Sequence, residues 1–100
     1  IDFNKIPLIN NVIDYANKGV VPGGTKRNLE HYGKLTEFDI SISNAKQLIM
    51  ADAQTSGGLL ISVSEDQTNK LIDNLKNANC LSQVIGKIVK KEKKYLISVY

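Results

Sequence analysis

Cysteine, histidine, proline and tryptophan are scarce in this sequence. Its 100 residues include one cysteine, one histidine, two prolines and no tryptophan. A single cysteine excludes an internal disulfide and a cysteine-based metal site, and a single histidine excludes a multi-histidine site. Apolar runs such as Leu59-Leu60-Ile61 fall far short of the roughly 20 residues of a membrane span, and no signal segment is predicted. We therefore expect a cytoplasmic protein with no membrane partner and no metal site of its own.

The proportion of apolar and charged residues is that of a globular domain. Apolar residues make up 42% of the chain and charged residues 23%, with a net charge of +3. Strand-like residues lie close to both ends of the sequence. We therefore expect residues 1–100 to form a single domain excised from a larger enzyme.

Much of the positive charge falls between Lys87 and Lys94. A short lysine-rich run between two strand-like stretches is typical of a solvent-exposed hairpin tip. Contact with nucleic acid is the alternative, but no aromatic residue is interleaved with the lysines to stack on a base. We expect no nucleic-acid partner.

Helical spacing and capping residues predict four helices. They run from about residue 9 to Gly19, from Thr25 to Tyr32, from Ser43 or Asn44 to about Asp52, and from the capping box Ser64–Gln67 to about Ala78. Gly33 is expected to close the second helix. Its first free N–H groups would then point back at the glycines that precede it.

Strand-like residues occur at positions 3–6, 59–63, 82–89 and 95–100. The last two stretches flank the lysine run and are predicted to form an antiparallel hairpin. The order strand, three helices, strand, helix, two strands predicts an α+β fold. We expect a mixed or antiparallel sheet of about four strands with the helices packed on one face.

Two glycine-rich segments, residues 21–28 and 51–60, carry most of the chemically interesting side chains. Paired glycines let the backbone approach a ligand closely, while hydroxyl and N–H groups can receive an oxyanion or a phosphate. A carboxylate in the second segment could reach a magnesium ion or a cationic partner. The candidate ligand-binding residues are Gly23, Gly24, Thr25, Asn28, Asp52, Thr55, Ser56, Gly57 and Gly58.

Each of these residues also has a purely structural interpretation. Two glycines before a threonine often form a turn and a helix cap. Asp52 could cap or salt-bridge a loop, Asn28 could bond to backbone, and Thr55-Ser56 could be ordinary turn hydroxyls. The residue types alone favour these structural roles.

The order and spacing of the two segments resemble those of a known family. Gly19-Val20-Val21-Pro22-Gly23-Gly24-Thr25-Lys26-Arg27-Asn28 and Ala51-Asp52-Ala53-Gln54-Thr55-Ser56-Gly57-Gly58-Leu59-Leu60 resemble the two C-terminal signatures of the selenophosphate synthetases, or selenide, water dikinases. The resemblance covers essentially the whole chain. Ala53 departs from the proline often found between that aspartate and glutamine. The resemblance places the chain as the C-terminal domain of the aminoimidazole ribonucleotide synthetase superfamily.

The resemblance implies an ATP-dependent enzyme that converts selenide and water to selenophosphate, AMP and phosphate. It implies that ATP and magnesium bind mainly to an N-terminal domain, which would be the partner of this chain in a homodimeric parent. The family's catalytic cysteine or selenocysteine and its partner lysine lie in that N-terminal part, and Cys80 does not match them. We therefore expect two glycine-rich loops that help close the cleft, in a domain that is inactive alone.

Two other functions remain open from the residues themselves. The chain could be a small nucleotide- or phosphate-binding module that uses the same loops without catalysis. It could also be a basic interaction domain in which residues 87–94 contact an acidic partner or RNA.

Overall fold

The computed structural model describes residues 1–91 and 94–100. Within them, the α-helices are α1 (Val12–Asn17), α2 (Gly23–Tyr32), α3 (Asn44–Met50) and α4 (Thr68–Asn77). Single 3-10 turns occur at Phe3–Lys5, Gly33–Leu35 and Glu65–Gln67. In the same described ranges, no helix has the length and apolar content that crossing a bilayer requires.

The sheet consists of two short parallel strands in the described residues. Strand β1 (Thr36–Phe38) pairs with β2 (Ile97–Val99), with Thr36 opposite Ile97 and Phe38 opposite Val99. The first residues of the chain bond to the other side of β2. The amino group of Ile1 donates to the Ser98 carbonyl at 2.7 Å, and the Tyr100 N–H donates to the Ile1 carbonyl at 3.1 Å. Both sides of β2 are therefore occupied.

The core lies where this edge meets the helices. Phe3, Ile42 and Val99 are at most 4% exposed and form one cluster. Helices α1 and α2 both pack on α3, which contributes the buried Ala45. Partly buried side chains complete the cluster: Ile1, Ile6, Leu8, Ile13, Phe38 and Met50. Burial of these apolar groups is the main force that holds the helices on the sheet.

The predicted α+β fold with a four-stranded mixed or antiparallel sheet is wrong. The chain is a small α/β domain whose described residues form one sheet of two parallel strands. Residues 82–89 do not form a hairpin with 95–100, because β1 and the N-terminal residues take both sides of β2. Residue Ile85 instead accepts a bond from the Asp2 N–H at 2.8 Å. Part of the predicted lysine-rich tip, Glu92 and Lys93, lies outside the described residues.

The predicted strand at 59–63 is also wrong. This stretch is not hydrogen-bonded into the sheet, and Leu59 is 88% and Leu60 75% exposed. Aliphatic and β-branched residues favour an extended backbone, but a strand also needs a neighbour to bond with. Within residues 1–91 and 94–100, this segment has none.

The predicted helices are confirmed, with shifted starts. Ser43 caps α3 as expected, since its Oγ accepts from the Lys46 N–H at 3.4 Å. Helix α1 starts only at Val12, because Asn11 before it has a left-handed φ of 65°. Helix α4 starts at Thr68, after a 3-10 turn, and the Ser64 side chain does not cap it. Near the N-terminus, the predicted strand at 3–6 is wrong, because Phe3–Lys5 form a 3-10 turn. Oδ1 of Asp2 caps this turn by accepting from the Asn4 N–H.

Candidate functional site

The first glycine-rich segment forms the N-terminal turn of α2. Pro22 precedes the helix in an extended conformation, and Gly23 and Gly24 are its first two residues. The first amides of a helix have no acceptor within it, so they favour an anion. A Cβ at Gly23 would lie 3.5 Å from Nη1 of Arg27, so the guanidinium folds back over this turn. Positive charge and free donors are thus combined at the start of α2.

Thr25 joins this turn to the second glycine-rich segment. Its side chain is 1% exposed, and its Oγ1 donates to Oδ1 of Asp52 at 2.6 Å. The other carboxylate oxygen, Oδ2, accepts from Nε2 of Gln54 at 3.3 Å. Both carboxylate oxygens of Asp52 therefore already accept a hydrogen bond.

Asn28 makes the second link between the segments. Its Nδ2 donates to the carbonyl of Ala51 at 3.1 Å, just beyond the end of α3. One turn earlier on α2, a Cβ at Gly24 would lie 3.4 Å from the Cβ of Ala53. The structure thus brings Gly24, Thr25 and Asn28 together with residues 51–53.

The rest of the second segment is exposed. Gly57 lies against Gln54, since its Cβ would be 3.0 Å from both Cβ and Oε1 of that side chain. Ser56 has a left-handed φ of 56°, which turns the backbone at this point. A Cβ at Gly58 would meet open space, so the chain's own packing does not require glycine there. In the described part of the chain, the Thr55 and Ser56 side chains make no hydrogen bond.

Two hollows adjoin the linked segments. A cavity of about 250 Å³ lies behind Asn28 and Asp52, with a largely apolar lining that includes Leu29, Phe38 and Met50. A shallower groove of about 530 Å³ runs along α2 and the turn after it. Its lining residues are Arg27, Asn28, Glu30, His31, Tyr32 and Lys34. The groove has a positive balance of charge and suits an anion.

Sequence reasoning missed Arg27 and Gln54. Arg27 is not among the predicted binding residues, although it lies four positions after Gly23 and therefore on the same face of α2. Gln54 carried no comparable signal. Its bond to Asp52 and its contact with Gly57 depend on a loop conformation that spacing does not specify.

ATP and magnesium, which the resemblance implied, fit these residues unequally. A phosphate suits the free amides and the guanidinium at the start of α2. A magnesium ion prefers carboxylate and phosphate oxygens, and Asp52 is the only carboxylate that the two segments supply. Within residues 1–91 and 94–100, no group of three potential metal-ligating side chains exists. These residues do not make a magnesium site by themselves.

Comparison with known proteins identifies the family. No protein-family model matches the chain. The selenide, water dikinase of Aliarcobacter butzleri is 33% identical over 98 residues, which are 97% of this chain and 28% of that protein. This chain belongs with the selenide, water dikinases. That of Myxococcus xanthus is 43% identical over 88% of the chain and 25% of its own length, and that of Clostridioides difficile 37% identical over 96% and 28%.

The match to the selenide, water dikinases confirms the resemblance drawn from the two glycine-rich segments. The chain spans only 25% to 28% of the length of these curated relatives. Such coverage is consistent with a C-terminal domain of a selenide, water dikinase. The roles of the individual loop residues stay predictions.

Proposed function

We propose that this chain is the part of a selenide, water dikinase that lines the phosphate-transfer site with its two glycine-rich segments. The parent enzyme would convert selenide, ATP and water to selenophosphate, AMP and phosphate. The observation that carries the proposal is the juxtaposition of the two segments through Thr25 and Asp52, 2.6 Å apart, in a chain that matches this family along nearly all its length.

The start of α2 would hold phosphate oxygens. Phosphoryl transfer depends mainly on positioning and on stabilising charge on oxygen atoms. The amides of Gly23 and Gly24 supply donors, and the Arg27 guanidinium beside them supplies a full positive charge. The exposed hydroxyls of Thr55 and Ser56 would add further donors, and Gly58 would leave space for the substrate.

The chain would not catalyse the reaction alone. Its one thiol, Cys80, is exposed, and its sulfur bonds only weakly to the Ala78 carbonyl at 3.7 Å. ATP and magnesium would bind mainly to the rest of the parent. In this proposal the whole parent enzyme forms a homodimer. When bound, magnesium would neutralise charge on the phosphates.

The rest of the parent would also cover apolar surface that this chain leaves exposed. Leu59, Leu60, Leu81 and Ile88 are each at least 75% exposed. Such large apolar side chains would be buried where the rest of the enzyme docks. Docking on the rest of the enzyme would bury these side chains and bring residues 55–58 to the substrate. Two of these exposed residues, Leu59 and Leu60, directly follow Gly58 in the second glycine-rich segment.

The test is selenide-dependent AMP formation by a full-length parent that contains this chain. Gly58→Val should lower turnover by about tenfold or more, because the added methyl groups would obstruct backbone approach without disturbing this chain's own packing. Cys80→Ser is the matched control and should leave turnover nearly unchanged. A folded Gly58→Val parent with normal turnover, or AMP formation by the isolated chain, would contradict the proposal.

The groove along α2 supports a second candidate function, phosphate or nucleotide binding by the chain alone. Arg27, His31 and Lys34 lie at i, i+4 and i+7 and line this groove together. Thermal shifts with ATP or ADP, with and without magnesium, would reveal such binding. A salt-dependent RNA complex instead would favour the interaction-domain alternative.

A further inference from the structure

A continuous set of contacts runs from α2 to the second glycine pair. The buried Thr25 hydroxyl donates to one oxygen of Asp52, and Gln54 donates to the other. The same Gln54 side chain lies close to Gly57, since a Cβ on Gly57 would be only 3.0 Å from it. Gly57 therefore contacts a side chain that Asp52 holds in place. Asp52 is in turn held by Thr25.

The strongest bond of this set lies at its buried end. A distance of 2.6 Å between a hydroxyl and a carboxylate oxygen is in the range of charge-assisted hydrogen bonds. Thr25 is fixed in α2 and only 1% exposed, so its hydroxyl has little freedom to turn elsewhere. Asp52 lies just after α3 and is exposed, so less of the protein packs around it than around Thr25.

We propose that Thr25, Asp52 and Gln54 form a latch that fixes residues 54–57 relative to α2. Asp52 then acts as a positioning residue, because its two oxygens accept the hydrogen bonds from Thr25 and Gln54. In this role it does not bind a metal ion. The latch goes beyond the proposed reaction, because it is a property of this chain and can be measured without substrate. If the proposed reaction were shown to be wrong, the latch could still be present.

The test measures backbone ¹⁵N order parameters at residues 54–57 and hydrogen exchange of the Ala51 and Asp52 amides, which bond to α3 carbonyls. Thr25→Val keeps the shape of the side chain and removes the hydroxyl. We expect it to lower the order parameters from about 0.85 towards 0.6, and to speed amide exchange by about tenfold or more. Asp52→Ala should do the same.

Two conservative variants separate a latch from a mere packing role. Thr25→Ser keeps the hydroxyl and removes the methyl group, so residues 54–57 should stay ordered in it. A mere packing role predicts the reverse, with the serine variant mobile and the valine variant ordered. Asp52→Asn keeps an acceptor oxygen for Thr25 but puts an N–H donor opposite Gln54, so it should speed exchange by less than Asp52→Ala does.

Magnesium supplies the decisive control. The latch predicts that magnesium chloride leaves the amide resonances of residues 51–57 unchanged in the wild type. A magnesium-dependent shift that Asp52→Asn abolishes would overturn the proposal, since Asp52 would then be a metal ligand. So would high mobility at 54–57 in the wild type, or unchanged order in Thr25→Val. The amides of α1 lie outside the latch and provide the reference: in Thr25→Val and Asp52→Ala, exchange at Ala51 and Asp52 should speed up by more than exchange in α1 does.

Discussion

Two regions of this chain differ in how they use apolar residues. We call residues 1–52 and 94–100 the packed region, and residues 53–91 the open region. Among residues 1–91 and 94–100, five are buried, and all of them belong to the packed region: Phe3, Thr25, Ile42, Ala45 and Val99. Throughout residues 53–91, all of which the structure describes, no whole residue is buried, although the Oγ of Ser82 is covered.

The difference does not come from composition. The open region contains Leu59-Leu60-Ile61 and Ile88-Val89, which are as apolar as any stretch of the packed region. Helix α4 presents Leu71, Ile72 and Leu75 on one side, yet it packs chiefly against its own preceding turn, Glu65–Gln67. Leu59, Leu60, Leu81 and Ile88 in the open region are largely exposed, and the proposed docking on the rest of the parent would cover them.

The largest expected effect tests the packed region at its centre. Phe3→Ala would leave a cavity beside Ile42 and Val99 and should cost about 3–5 kcal/mol in the free energy of unfolding. Urea unfolding of the chain, followed by circular dichroism, measures the loss. Leu60→Ala in the open region is the matched control and should stay within about 0.5 kcal/mol of the wild type. Similar costs for both variants would abolish the distinction between the regions.

A smaller effect is expected where the packed region ends. Asn28→Ala removes the bond to the Ala51 carbonyl and should cost about 1 kcal/mol, because a partly buried acceptor loses its partner. The exposed Asn69 on α4 provides the comparison, and Asn69→Ala should be neutral or slightly stabilising, since alanine favours a helix. If Asn28→Ala left the free energy of unfolding unchanged, the packed region would end before residue 51.

Two helix starts give a still smaller contrast. Ser43→Ala removes the cap of α3 and should cost about 0.5–1 kcal/mol, at the low end of the usual range because the capping bond is long, at 3.4 Å. Ser64 makes no bond to a helix amide, so Ser64→Ala should cost less. Thermal unfolding of both variants measures the difference, and an equal or larger loss for Ser64→Ala would show that the start of α4 matters more than its geometry indicates.

The smallest effects concern pH. Hydrogen bonds from the side chain and the N–H of Ser41 lower the pKa of Asp39, and bonds from the side chains of Gln67 and Ser64 lower the pKa of Asp66. A carboxylate with a lowered pKa stabilises the fold above its ordinary pKa of about 4, and this contribution disappears as the pH falls through the lowered value. Asp39→Asn should therefore weaken the loss of stability on acidification.

Asp66→Asn is the matched variant in the open region. Because α4 and its turn pack mainly on each other, we expect it to change local order and leave the pH dependence of global unfolding as it was. Unfolding curves between pH 7 and about pH 3 compare the two variants. An equal response from both would mean that the two regions unfold together.

Local signals in the sequence predicted local structure well. The serine before Asn44 marked the start of α3, because helix ends depend on residues a few positions apart. Helix α2 was predicted from Thr25, but it starts two residues earlier and includes both glycines. The sheet could not be predicted in this way. Pairing of Thr36 with Ile97 is a competition among distant segments, and the N-terminal residues took the side of β2 that the hairpin prediction assigned to 82–89.

The same limit applies to the candidate site. The resemblance of both glycine-rich segments to the family's signatures pointed to a shared site, but the bond between Thr25 and Asp52 spans 27 positions. Its geometry follows from the packing of α2 on α3, which neither segment encodes by itself. Gln54 was missed for the same reason, whereas helical spacing from Gly23 could have pointed to Arg27.

The pairing of the first and last residues has a mechanical consequence. Residues 1–3 run alongside 98–100 in the same direction, joined by bonds from the Ile1 amino group to Ser98, from Tyr100 to Ile1 and from Phe3 to Tyr100. If the two ends of the chain are pulled apart, these segments must slide past each other, so the three bonds resist the force together instead of opening one at a time. Single-molecule stretching from the two ends should therefore require more force than stretching from an end and a point in the exposed 59–63 segment.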